Sequence, residues 1–78
     1  MLNAKTVGKV LRRFREEKKQ TQELVSGFAG IGRSQLSAIE RGERRPTLET
    51  FYRISEALGV KPSEIMKAIE NEKSEEDP

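Results

Sequence analysis

The chain has 78 residues, with 15 Lys and Arg, 13 Asp and Glu, and neither Cys nor His. A chain this short holds one domain at most, because it buries only roughly 60% of its unfolded surface. The missing Cys and His exclude disulfides, thiolate chemistry and Cys/His zinc sites, so any general acid or base would be a carboxylate, lysine or tyrosine.

The charge is unevenly placed. Residues 1–68 carry fourteen Lys and Arg against eight Asp and Glu, a net +6; residues 69–78 carry Lys73 against five carboxylates, a net −4; together they give the overall +2. A basic body with an acidic tail suits a nucleic-acid binder better than the total suggests. No apolar run approaches the ~18 residues of a membrane span, and Met1 to Lys19 is too charged for a signal peptide. The expectation is a soluble cytoplasmic protein without membrane contact, cofactor or metal. No convergent catalytic set can be assembled, so an enzyme is not expected.

The first helix is expected over Thr6–Lys19. Val7, Val10, Leu11 and Phe14 fall on one face at i, i+3, i+4 and i+7, with Thr6 or Asn3 as the cap. Lys9, Arg12, Arg13, Glu16 and Glu17 lie on the wet side. Thr21 is a good N-cap for a second helix ending near Ala29, where Gly30 suits a left-handed turn. Leu24, Val25, Phe28 and Ala29 are its apolar positions, and Gly27 inside it costs about 1 kcal/mol relative to Ala.

A third helix starts at Gly32–Arg33 and runs to about Arg41, with Leu36 and Ile39 inward and Ile31 plugging the angle with the second helix. Gly42 and Pro46 are stop signals. Thr47 caps a fourth helix, Leu48–Leu58, whose apolar stripe is read as Leu48, Phe51, Tyr52, Ile54, Ala57 and Leu58. Gly59 ends it, and Val60 is placed for the apolar contact of a Schellman turn. Pro62 fits the first position of a fifth helix, with Ile65, Met66 and Ile69 on its apolar face. Residues 1–70 form the domain and 71–78 an acidic tail expected to be disordered, since Lys73–Pro78 can bury nothing. No strand pattern occurs, so the fold is a compact all-α domain of five helices.

Helix, glycine-marked turn, second helix, glycine stop and basic loop follow one another from Thr21 to Pro46. The segments LRRFREEKKQTQ (11–22), GIGRSQLSAIERGERRP (30–46) and TLETFYRISEALGV (47–60) resemble the lambda-repressor-like (Cro/C1-type, XRE family) helix-turn-helix DNA-binding domains over about residues 7–66. The resemblance implies that helices two and three are the DNA-reading unit. Gln22 would meet a phosphate at the start of helix two, where free N–H groups and the helix dipole favour an anion. Arg33, Ser34 and Gln35 would open the recognition helix. Arg suits guanine O6 and N7 and Gln suits adenine, although the angle of Gln35 around the helix turns it toward a flanking phosphate. Ser37 and Ala38 lie one turn on, the latter offering apolar contact alone. Arg41, Arg44 and Arg45 would clamp phosphates in a salt-dependent way, weakened by Glu43 where Lys is common. Arg15 and Glu40 would form a structural ion pair that orients the recognition helix.

The resemblance also implies a transcriptional regulator, a repressor or autoregulator, bound as a homodimer to a palindromic operator in double-stranded DNA of a prokaryote or phage. Tyr52, Met66 and Ile69 are the candidate dimer surface, with Ile65 in the core. Gln20, Ser26, Gly27 and Phe28 depart from the family pattern. Leu24 and Phe28 either pack inward in a slightly rotated second helix, the plainer reading, or form an apolar patch for a protein partner such as a toxin or co-regulator. The alternative function is therefore an antitoxin or other interaction module on the same fold.

Overall fold

The computed structural model describes residues 2–72; of the tail expected to be disordered, residues 73–78 lie outside them. Five helices follow in order: α1 (Ala4–Glu17), α2 (Gln22–Ala29), α3 (Arg33–Glu40), α4 (Leu48–Leu58) and α5 (Pro62–Asn71). The described residues contain no strand, and no helix is long and apolar enough to cross a membrane.

Local hydrogen bonding decides most boundaries. Asn3 Oδ1 accepts from the N–H groups of Lys5 (2.8 Å) and Thr6 (3.2 Å), so α1 starts two residues before the Thr6 alternative and Thr6 is buried within it. The same helix stops two residues short of the expected Lys19. Lys19 sits at φ 55°, and Gln20 N–H donates to Arg15 O at 3.1 Å, a Schellman closure built on a lysine. Thr21 and Thr47 cap α2 and α4 through Leu24 and Thr50 N–H, and these helices end at Gly30 and Gly59 as the sequence predicts. Val60 N–H donates to Ser55 O at 3.1 Å, completing the second expected turn. α5 extends to Asn71, beyond the expected boundary at residue 70. Glu72 follows it and pairs with Arg13 (2.8 Å) and Lys9 (3.2 Å), so residues 71 and 72 belong to the folded body.

The core is drawn from all five helices. Val10, Leu11, Val25, Leu36, Ile39, Ile54, Leu58 and Ile65 are buried almost completely. Ile31 packs against this cluster from the turn, as its position between α2 and α3 suggested. Three expectations are corrected. Leu48 and Tyr52 are not part of the α4 stripe: they are 82% and 50% exposed, because the core-facing side of α4 is made by Phe51, Ile54, Ser55 and Leu58, with Ala57 packed against it. Leu24 (45% exposed) and Phe28 (74%) do not turn inward, because Val25, Ser26 and Ala29 occupy the buried face of α2. Ile69 is buried at 4% exposure, so its place is in the protomer's own core.

Two glycines bring α1 against the end of α3. A Cβ on Gly8 would lie 2.2 Å from Ile39 O and 2.7 Å from Glu40 O. At Gly42 the backbone is left-handed (φ 76°), and a Cβ would lie 2.7 Å from Lys5 Cα. Only hydrogen side chains allow this backbone-to-backbone seat, which fixes where α3 ends relative to α1.

Candidate nucleic-acid interface

A buried carboxylate ties the helix pair α2–α3 to α1. Glu40, 8% exposed in the last turn of α3, accepts from Arg15 Nε at 2.7 Å and from Arg15 Nη2 at 2.9 Å. Its Oε1 also accepts from Gln22 Nε2 at 3.0 Å, and the remaining Arg15 nitrogen, Nη1, donates to Gln20 O at 2.8 Å. One fork thus joins α1, the α1–α2 loop, the first residue of α2 and the last turn of α3. The Glu40 hydrogen bonds raise the pKa of Arg15 above its ordinary value, against the opposing effect of burial. Gln22, expected to face a phosphate, therefore has its amide nitrogen directed at Glu40. The anion-directed donors left at this helix start include the backbone N–H groups of Gln22 and Glu23 and the second N–H of the Gln22 amide.

Beyond that fork, α3 has two sides. Leu36, Ile39 and Glu40 are buried. Arg33 and Ser34 are exposed, and Ser37 and Ala38 half-buried. At 3.6 residues per turn, Arg33, Ser34, Ser37, Ala38 and Arg41 fall within an arc of roughly 140° on the outer side. Gln35 is half-buried and lies about 60° beyond this arc, so its angle separates it from the row. Arg33 at the start of the row, and Arg44 and Arg45 in the following loop, make no ion pair among the described residues. Arg41 is different. It forks onto Glu43 through Nε (2.9 Å) and Nη2 (3.0 Å), and its Nη1 donates to Ser37 Oγ.

Helix α3 therefore presents a row of short polar and cationic side chains, rigidly aimed and followed by uncompensated arginines. An α-helix of this kind fits the major groove, while the arginines match the phosphates on either side. The helix-turn-helix family profile matches residues 11–65. The chain belongs to the helix-turn-helix family of DNA-binding transcriptional regulators. It is 44% identical over 62 residues to an uncharacterized HTH-type transcriptional regulator, y4dJ, of Sinorhizobium fredii, covering 80% of each chain. Against the control protein C.BamHI of Bacillus amyloliquefaciens it is 35% identical over 60 residues, 76% of this chain and 74% of that one. In fold it matches the restriction-modification controller protein C.AhdI of Aeromonas hydrophila with a TM-score of 0.78 and 29% identity, over 83% of this chain and 98% of that one.

Across the domain, three features are not directly legible in the sequence. Gly8 had no role assigned; a glycine inside a strongly amphipathic helix is the signal that marks such an approach. Glu43 was read as a diluted charge, whereas it holds Arg41. Glu72 was placed in the tail, whereas it staples α5 to α1.

On the side of α4 and α5, a groove of about 240 Å³ is lined by Leu2, Val7, Arg45, Pro46, Thr47, Leu48, Phe51, Met66 and Ile69. The lining is almost wholly apolar. Met66 stands half-buried in it, and Ile69 reaches it only with the edge of a core side chain.

Proposed function

We propose that this regulator represses transcription, that of its own gene included, by occupying a palindromic operator as a homodimer. The observation that carries the reading is the outer row of α3 together with three arginines, Arg33, Arg44 and Arg45, that have no acidic partner among the described residues. Arg33 and Ser34 take base edges, Ala38 takes an apolar contact, and Gln35 takes a flanking phosphate. Arg44, Arg45 and the α2 N-terminus hold the backbone. The Arg15–Glu40 fork keeps α3 at a set angle to that backbone.

The homodimer is supported by the apolar groove beside α4 and α5. Leu48, 82% exposed, stands at its edge, a costly arrangement unless a second copy covers it. Arg45 and Pro46 line the same groove, so covering it also orders the basic loop. Two copies related by a two-fold axis set two recognition helices about 34 Å apart. Met66 belongs to that surface, with Tyr52 exposed on the same helix as Leu48.

Selection of bound sites from random DNA at controlled salt, with sedimentation of the free and bound protein, tests the reading. Recovery of inverted half-sites about one helical turn apart, bound by two chains, supports it. A strict monomer with and without DNA would sink it. Within a recovered site, Arg33→Ala is expected to cost roughly 1–3 kcal/mol and relax one base position. An equal loss on every sequence would make Arg33 a phosphate contact.

One observation favours a second role. Phe28 and Leu24 leave an apolar patch open on α2, next to Ala57 and Glu56 of α4. A toxin or co-regulator seated there would give an antitoxin-like module on the same fold. Co-purification of a partner with the wild type, lost with Phe28→Ser, would support that role.

A further inference from the structure

Between Arg33 and Pro46 the chain carries four arginines and two carboxylates, Glu40 and Glu43. Glu40 is buried and committed to Arg15. Glu43 is exposed, and both of its oxygens are taken by Arg41, from Nε at 2.9 Å and Nη2 at 3.0 Å. The third donor, Arg41 Nη1, goes to Ser37 Oγ one turn back along α3. The backbone enforces this arrangement. Glu43 N–H donates to Ala38 O at 2.9 Å across the left-handed Gly42, which returns residue 43 to the last turn of the helix. The guanidinium is thus folded back along the outer row of α3, with its Nε/Nη2 fork filled by Glu43 and one Nη1 N–H given to Ser37.

We infer that Glu43 is a positioning residue that restrains DNA binding through Arg41, keeping that guanidinium and Ser37 paired with one another until DNA competes for them. The inference rests on the DNA-reading role of α3 proposed above. A phosphate or guanine edge that takes the Nε/Nη2 fork of Arg41 must displace the Glu43 carboxylate, which is then left near the phosphates without its cation. That cost falls equally on every sequence. It therefore lowers weak, indiscriminate binding, while a site that also engages the base-facing row recovers the loss. The pair is more than half exposed on both sides, so it adds little to the stability of the fold; its effect belongs to binding. The hydrogen bonds from Arg41, and then its charge, hold the Glu43 carboxyl below its ordinary range, so the restraint stays ionised at neutral pH.

The test is a double-mutant cycle of wild type, Glu43→Gln, Arg41→Gln and the double variant. Each is titrated by fluorescence anisotropy against a mixed-sequence duplex of about three helical turns over a KCl series. Glu43→Gln is expected to bind about three- to tenfold more tightly and to steepen the log K against log salt slope by about 0.9, one more phosphate neutralised. In the Arg41→Gln background the same change is expected to be less than about twofold. Equal gains in both backgrounds would show Glu43 to be a plain repulsive charge and overturn the inference, as would no gain in either. Circular dichroism of all four proteins checks that these exposed substitutions leave the fold intact. If that check holds and no variant binds the duplex at the lowest salt, the DNA-reading role fails first and the inference with it, a result distinct from binding without coupling.

Discussion

One substitution, glycine to alanine, made in two helices should move stability in opposite directions. At Gly27 in α2 an added Cβ meets nothing within 4 Å. Replacing Gly there removes backbone freedom from the unfolded chain and is expected to stabilise by about 0.5–1 kcal/mol. At Gly8 the helix-propensity gain is the same, but the new carbon would sit 2.2 Å from Ile39 O and 2.7 Å from Glu40 O. Relief requires α1 and the end of α3 to separate by about 1 Å across a close-packed contact, at an overpacking cost of roughly 1–3 kcal/mol or more. The separation also stretches the Arg15–Glu40 fork, whose bonds of 2.7 and 2.9 Å span the same two helices. Against the propensity gain, a net loss of about 1–2 kcal/mol follows, a sizeable share of the roughly 4–12 kcal/mol total of a domain this size. Urea unfolding followed by helical circular dichroism measures both variants. A Gly8→Ala protein as stable as wild type, or one stabilised like Gly27→Ala, would refute the close approach of α1 to α3.

Three further outcomes are expected. Glu40→Ala leaves the Arg15 charge and the Gln22 amide facing an empty site and should cost about 3 kcal/mol, while the double change with Arg15→Met should recover a substantial part, both read by urea denaturation. Lys19→Gly relieves a lysine held at φ 55° and should stabilise by about 1 kcal/mol; no change in melting temperature would argue against the left-handed turn. The Glu72 carboxyl is held below its ordinary value of 4.5 by hydrogen bonds from Arg13 and then Lys9. A depressed folded value means that this contribution is complete above the unfolded value and disappears as pH falls through the folded one. The stability difference between wild type and Glu72→Gln should accordingly be constant around neutral pH and close on acidification below 4.5. A difference that persists to the acid limit would exclude the ion pair as its source.

Much of the fold is legible without coordinates because the signals are local. Thr21 and Thr47 cap their helices through N–H groups three residues away, and the turns at Gly30 and Gly59 close theirs through bonds three to five residues long. Such contacts depend on neighbours in the chain alone, so they read directly from sequence. The same is true of the inward spacing of Val7, Val10 and Leu11 and of the all-α character that follows. For the site, the basic loop and the helix start Arg33–Ser34 are legible as residue types in a pattern. The pairing of Arg15 with Glu40 was reached through a family resemblance, since no local rule joins residues 25 apart.

What tertiary structure alone decided is which apolar residues have a partner and which backbones touch. Leu24, Phe28, Leu48 and Tyr52 satisfy helical periodicity as well as their buried neighbours do. They are exposed because the adjoining helices cover a single face of α2 and of α4. Gly8 against Ile39, Lys5 against Gly42, Gln22 on Glu40 and Glu72 on Lys9 and Arg13 all join positions far apart in the chain. The chain order therefore determined five helices, three of them capped by a side chain, a basic recognition segment and a carboxylate-poor loop. The packed fold determined where α3 points and which apolar surfaces stay open, because those depend on distances between helices that no sequence interval encodes.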